Sequence, residues 1–151
     1  MHKYIAYLEY INGKLSKYFR QQEPYIFCKR GCAKCCQKGD YPFRQVEVEY
    51  LLQGFSQLDN DKKQLILDKI QKIKQEKADC KQENFMYECP FLINNECSVY
   101  EYRGIICRTF GLISSRENAN SKVPFCAFEG LNYSNVLDVE NNVISEEKFL
   151  A

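Results

Sequence analysis

Nine cysteines are spread unevenly along this 151-residue chain. Cys28, Cys32, Cys35 and Cys36 fall within nine residues, Cys89, Cys97, Cys107 and Cys126 form a looser second series, and Cys80 stands alone. Thiols crowded this closely are oxidised to disulfides, deprotonated onto a metal, or kept reduced for redox work. The odd count excludes complete intramolecular pairing. The N-terminus shows no apolar run of signal-peptide length and no small-residue cleavage site. A cytoplasmic location with reduced thiols is therefore expected. Of the three outlets, metal ligation is the one this grouping favours.

Short loops bring thiols together cheaply, because little chain must be ordered to do it. Cys28, Cys32 and Cys35 follow at x3 and x2 spacing, and Cys89 and Cys97 flank a segment that reads as a hairpin. Together with Cys36, Cys107 and Cys126 these eight form the expected ligand pool, enough for two four-thiolate sites or for one such site with supporting thiols. Side chains of neighbours such as Cys35 and Cys36 point about 100° apart on a helix and to opposite faces on a strand. Both are not expected to serve one tetrahedral ion. Cys80 is the expected non-ligand, and His2, the only histidine, is expected to be terminal rather than ligating. An all-thiolate set suits zinc and an iron–sulfur cluster equally, and spacing does not separate them.

Two other patterns share these residues. The Cys28-x3-Cys32-x2-Cys35 spacing matches the cluster loop of radical S-adenosylmethionine enzymes, but a helix and a proline turn precede it here, and Lys34 stands where an aromatic is usual. Cys32-Ala-Lys-Cys35 has the spacing of dithiol redox sites, without their strand–helix context.

The elements that must position these thiols read as mainly helical. Ile5, Leu8, Ile11, Leu15 and Phe19 make one apolar stripe over residues 3–20, with Gly13 a weak point. Pro24 ends the pattern, and Gly39, Asp40 and Pro42 mark a turn after the cluster. Residues 44–55 predict a helix carrying Val46, Tyr50, Leu51 and Phe55. A longer one, capped by Asp59 or Asn60, should run to about Cys80 with Leu65, Ile66, Ile70 and Ile73 inward. Asn94-Asn95 tolerates the positive φ of a tight hairpin turn. Residues 100–110 predict a short helix ending at Gly111, residues 114–121 a polar loop, and Asn141-Asn142 a possible second hairpin. The expected fold is mainly α with a small β hairpin, a single domain over residues 1–151 with its motif core at 27–126.

Composition closes other routes. A net charge of +1, with acids and bases interspersed, gives no electrostatic case for nucleic acid or anionic membrane as partner. No stretch approaches the roughly 18 apolar residues of a membrane span. No acid–base dyad, nucleotide loop or nucleophile motif stands out, so substrate and partners are left open.

The combination Cys28-x3-Cys32-x2-Cys35-Cys36, Cys89-Pro90-Phe91-Leu92, Cys97-Ser98-Val99-Tyr100-Glu101-Tyr102-Arg103 and Cys107-Arg108-Thr109-Phe110 resembles the cysteine-cluster proteins of the YkgJ type, described as zinc- or iron-chelating domains. The resemblance covers about 27–110, with Cys126 as a plausible final element. It implies metal binding and names no reaction. One relative, the flagellin lysine N-methylase, is an enzyme of much greater length associated with an iron–sulfur cluster. The family pattern has Arg-Pro where this chain has Arg103-Gly104, a change expected to loosen the turn. The motif also singles out Arg103 and Arg108. A guanidinium there would offset thiolate charge or bind a carboxylate substrate; an ion pair to Glu47, Glu49 or Glu101 is the plainer reading. Tyr100 is expected to pack in the core or donate to a sulfur. The readings carried forward are a zinc or iron–sulfur metalloprotein, an iron–sulfur enzyme of group transfer or redox chemistry with Arg103 and Arg108 near substrate, and a dithiol redox or metal-delivery protein.

Overall fold

The computed structural model describes residues 1–29, 31–113, 123–141 and 143–145. The loop expected over 114–121 and Asn142 of the second hairpin lie outside the described residues. The architecture is mainly helical with two small antiparallel hairpins. Chain contacts divide it into two compact units. Unit 1 holds Arg30–Cys107 with Met1, and unit 2 holds His2–Lys29 and Arg108–Ala151.

Unit 1 begins with a one-turn helix, α2 (Lys34–Gln37), and continues through α3 (Gln45–Ser56) and α4 (Asn60–Asp79). Glu47 starts α3. Its Oε2 accepts the backbone N–H of Arg44 at 2.8 Å, which satisfies one donor left orphaned at the helix start. Asp59 does the same for α4, its Oδ1 accepting from the N–H of Lys62 at 2.9 Å. Leu51 and Ile66 are buried, as the periodicity requires, and Ile70 and Ile73 are half-buried. Leu65 is not inward: it is 43% exposed, because it lies about 100° around the helix from Ile66.

The expected hairpin forms from β1 (Leu92–Ile93) and β2 (Glu96–Cys97), with Leu92 opposite Cys97. Asn94 and Asn95 take φ of 51° and 61°, the two positive values that a two-residue turn of this hand requires. The expected helix over residues 100–110 is broken. A 3-10 turn at Tyr100–Tyr102 packs on α3, and a short helix, α5 (Ile105–Thr109), follows after Arg103-Gly104. The turn at Gly104 is tight rather than loose. A Cβ there would stand 2.5 Å from the Phe43 ring and 3.0 Å from a Glu47 carboxylate oxygen. The missing side chain leaves room for that close packing.

Unit 2 contains α1 (His2–Gln21), the 3-10 turns Glu23–Tyr25 and Phe125–Glu129, and the hairpin β3 (Leu137–Asp138) with β4 (Val143–Ile144). Tyr4 and Leu8 are the buried positions of the α1 stripe, and Ile5, Ile11, Leu15 and Phe19 are half-buried. Tyr133 and Asn132 are fully buried in this unit. Among the described residues no helix is long and apolar enough to cross a membrane.

Candidate metal centre

The thiols of unit 1 come from three local structures. Cys35 and Cys36 lie side by side on α2, with sulfurs 3.9 Å apart. Cys89 is fastened to that helix by its backbone N–H, which donates to the carbonyl of Cys36 at 2.8 Å. Cys97 is brought back beside Cys89 by the hairpin, whose strand Leu92–Ile93 begins three residues after Cys89. Cys107 projects from α5, whose first residue is held by Glu47: Oε1 of that buried carboxylate accepts the N–H of Ile105 at 2.8 Å. Glu47 thus caps α3 and anchors the helix that carries Cys107. Both its oxygens are spent on backbone donors rather than on Arg103 or Arg108.

Electrostatics ties these sulfurs into one group. Cys35 is raised far above its ordinary value, first by the hydrogen bond with Cys36, then by burial and by the neighbouring charge. Burial pushes Cys89 up to about 12, with Cys97 and Cys107 adding repulsion. Cys107 is pushed up to about 11 by burial, then by Cys97 and Cys35. Cys97 is raised by burial, with Cys35 as its thiol neighbour. Cys35, Cys89, Cys97 and Cys107 each resist ionisation partly because at least one other thiol is near. Tyr41 senses the same group. Its hydroxyl donates to the carbonyl of Cys35 at 2.8 Å, and burial raises its phenol, followed by the charges of Cys89, Cys36, Cys35 and Cys107.

Among the described residues two cations are within reach, Lys69 for Cys89 and Arg103 for other thiols of the group. Arg103 lowers the proton affinity of Cys35, Cys97 and Cys107, opposing the burial. Its guanidinium carbon sits 3.5 Å from the centroid of the Tyr100 ring. Tyr100 is 55% exposed, so it is neither a packed core residue nor placed by its partners as a sulfur donor; it is the platform under Arg103. Arg108 belongs to unit 2, where its Nη1 donates to Oδ1 of Asn12 on α1 at 3.1 Å.

The remaining four cysteines have other surroundings. Cys28 lies in unit 2 and is exposed. The amide of buried Asn132 organises it. Oδ1 accepts from the N–H groups of Phe27 at 2.8 Å and Cys28 at 3.1 Å, while Nδ2 donates to the Cys28 sulfur at 3.0 Å and the Gly111 carbonyl at 3.1 Å. All four hydrogen-bonding positions of the amide are used. Gly111 accommodates it with φ of 92° and no side chain, since a Cβ would stand 2.6 Å from Nδ2. Cys126 is buried in unit 2. Cys32 is half-buried in unit 1, and Cys80 closes α4 as its C-terminal cap.

Sequence reading missed Tyr41 and the double role of Glu47 in unit 1, and Asn132 in unit 2. Only Glu47 carried a signal, as an acid at the third position of a helix.

The chemistry of the donor set fits a thiophilic cation. Cys35, Cys89, Cys97 and Cys107, with Cys36 beside Cys35, are sulfur donors; burial raises those four thiols, and a bound divalent ion reverses that by deprotonating its ligands outright. The side chains as placed do not close on an ion: among the described residues no three His, Cys, Asp or Glu groups meet the spacing of a metal site. No curated protein and no solved structure matches the chain. Residues 27–127 match the CxxCxxCC family, described as a "putative zinc- or iron-chelating domain". That span is more than half of the sequence and includes every thiol just described, and the chain belongs to this family.

Proposed function

We propose that this protein binds a metal through the thiolates of unit 1, drawn from Cys35, Cys36, Cys89, Cys97 and Cys107, and that the centre fastens α2, the β1–β2 hairpin and α5 to one another. The observation that carries this reading is the mutual electrostatic reach of sulfurs from three separate elements, held by the Cys36–Cys89 backbone bond and by Glu47. Buried thiols of a purely structural core need not be neighbours. Arg103 offsets part of the anionic charge that four thiolates bring to a divalent ion. Zinc or an iron–sulfur cluster satisfies the same donors. With zinc the role is structural, on the order of 10–16 kcal/mol of apparent binding energy, comparable with the whole stability of an ordinary domain.

Anaerobic purification followed by metal analysis and an absorption spectrum tests this directly. Stoichiometric zinc in colourless protein, or iron with sulfide and a broad band near roughly 400 nm, supports the reading and chooses between the metals. Metal-free folded protein with nine titratable thiols would sink it.

A further inference from the structure

Unit 1 also contains a cleft of about 240 Å³. Ile70, Ile73 and Lys74 of α4 form one side, and Tyr41, Tyr87 and Cys89 face them. The Tyr41 and Tyr87 rings meet edge to face with centroids 5.4 Å apart, so that side is a preformed aromatic surface. Lys74 is the only charged residue in the lining. Its neighbours along α4 already have carboxylates, Lys69 with Glu88 at 3.0 Å and Lys72 with Glu76 at 3.7 Å. Lys74 has no ion pair or hydrogen bond among the described residues.

We propose that this cleft binds a small apolar carboxylate, with a single aromatic ring or its aliphatic equivalent against Tyr41, Tyr87 and the two isoleucines and its carboxylate on the Lys74 ammonium. Apolar walls with one polar group fixing orientation are the usual composition of a small-molecule site. The volume falls below the roughly 300 Å³ at which pockets take drug-sized ligands, which limits the occupant to one ring and a short chain. Lys74, the one charged residue of the lining, matches one carboxylate and would be under-matched by a doubly charged group.

Two residues belong to both the cleft and the thiol group: Cys89 contributes to the wall, and Tyr41 holds the Cys35 carbonyl at 2.8 Å. Filling the cleft therefore alters metal affinity, and loading the metal alters ligand affinity by the same factor. That coupling rests on the metal reading above; the binding itself does not.

The test titrates 3-phenylpropionate, its uncharged amide and 3-phenylpropylamine into the full chain as purified, following the isoleucine methyl resonances, with metal content measured on the same sample. The expected result is saturable shifts at Ile70 and Ile73, a Kd of about 1 mM for the carboxylate, and binding about three- to fivefold weaker for the amide, with the amine weakest. Lys74 is exposed on α4, so Lys74→Gln keeps the fold; it should erase the preference for the carboxylate, and Lys74→Arg should retain it. Equal binding of acid and amide, a preference that survives Lys74→Gln, or no methyl shift up to about 10 mM overturns the proposal. Metal-loaded protein that ignores the carboxylate refutes this inference alone. Metal-free protein that binds it refutes only the metal reading.

Discussion

Cys28 and Cys35 are seven residues apart in one motif, yet their surroundings are opposite. The hydrogen bond with Cys36 and burial make ionisation of Cys35 costly, and its backbone carbonyl is held by Tyr41. Cys28 is exposed and receives an N–H from a buried amide. The first environment calls for an external cation; the second already supplies a donor. The division between units falls just after Lys29, inside the motif.

The largest expected effect comes from removing a sulfur of the unit 1 group. Cys107→Ser should strip the metal and cost most of the 10–16 kcal/mol order of apparent stabilisation, seen as lost metal content and a collapse of Tm. Cys28→Ser should leave the metal in place. If both lose it equally, the contrast between the two environments fails.

Next is the amide that organises Cys28. Asn132→Ala leaves the N–H groups of Phe27 and Cys28 and the Gly111 carbonyl without their partner in a fully buried position. A loss of about 3 kcal/mol is expected by denaturant unfolding, with metal stoichiometry unchanged. A stable variant, or one that has lost its metal, would mean that Asn132 does something other than organise unit 2.

A smaller effect separates the environments by pH. In the metal-free fold Cys89 and Cys107 are raised from 9.0 to about 12 and about 11, mainly by burial. The folded chain therefore keeps protons that the unfolded chain releases above its value near 9.0. This stabilisation is complete below that pH and is lost as pH rises through 11 and 12. Thermal melts of chelator-treated protein should show Tm falling across that window. Metal affinity should move the other way, rising with pH, because each bound thiolate first gives up a proton. A flat Tm over the window would mean that these thiols are not buried as a group.

The smallest effect is a control at the start of α4. Asp59→Ala removes one N-cap hydrogen bond from exposed chain and should cost about 1 kcal/mol, with no change in metal content. A change in metal content would tie the start of α4 to the centre.

Much of the scaffold was legible because it is local. The apolar stripe of α1, the Asp59 cap and the Asn94-Asn95 turn each state their conformation within a few residues. The cysteines announced metal chemistry by type and spacing. Their partition was not legible: whether a sulfur joins the group depends on chain far away, such as Glu47 holding Ile105 across 58 residues. Asn132 was hidden for the same reason, since its partners at Phe27, Cys28 and Gly111 lie 105, 104 and 21 residues away. Gly104 misled in the opposite direction. A glycine suggests slack, but here the missing side chain is space filled by Phe43.

The most direct test of the central claim is the metal content of two single variants, Cys107→Ser and Cys28→Ser, purified anaerobically beside the unaltered protein. The account requires the first to lose its metal and the second to keep full stoichiometry. Retention by Cys107→Ser, or equal loss by both, would contradict a centre built from the unit 1 thiols.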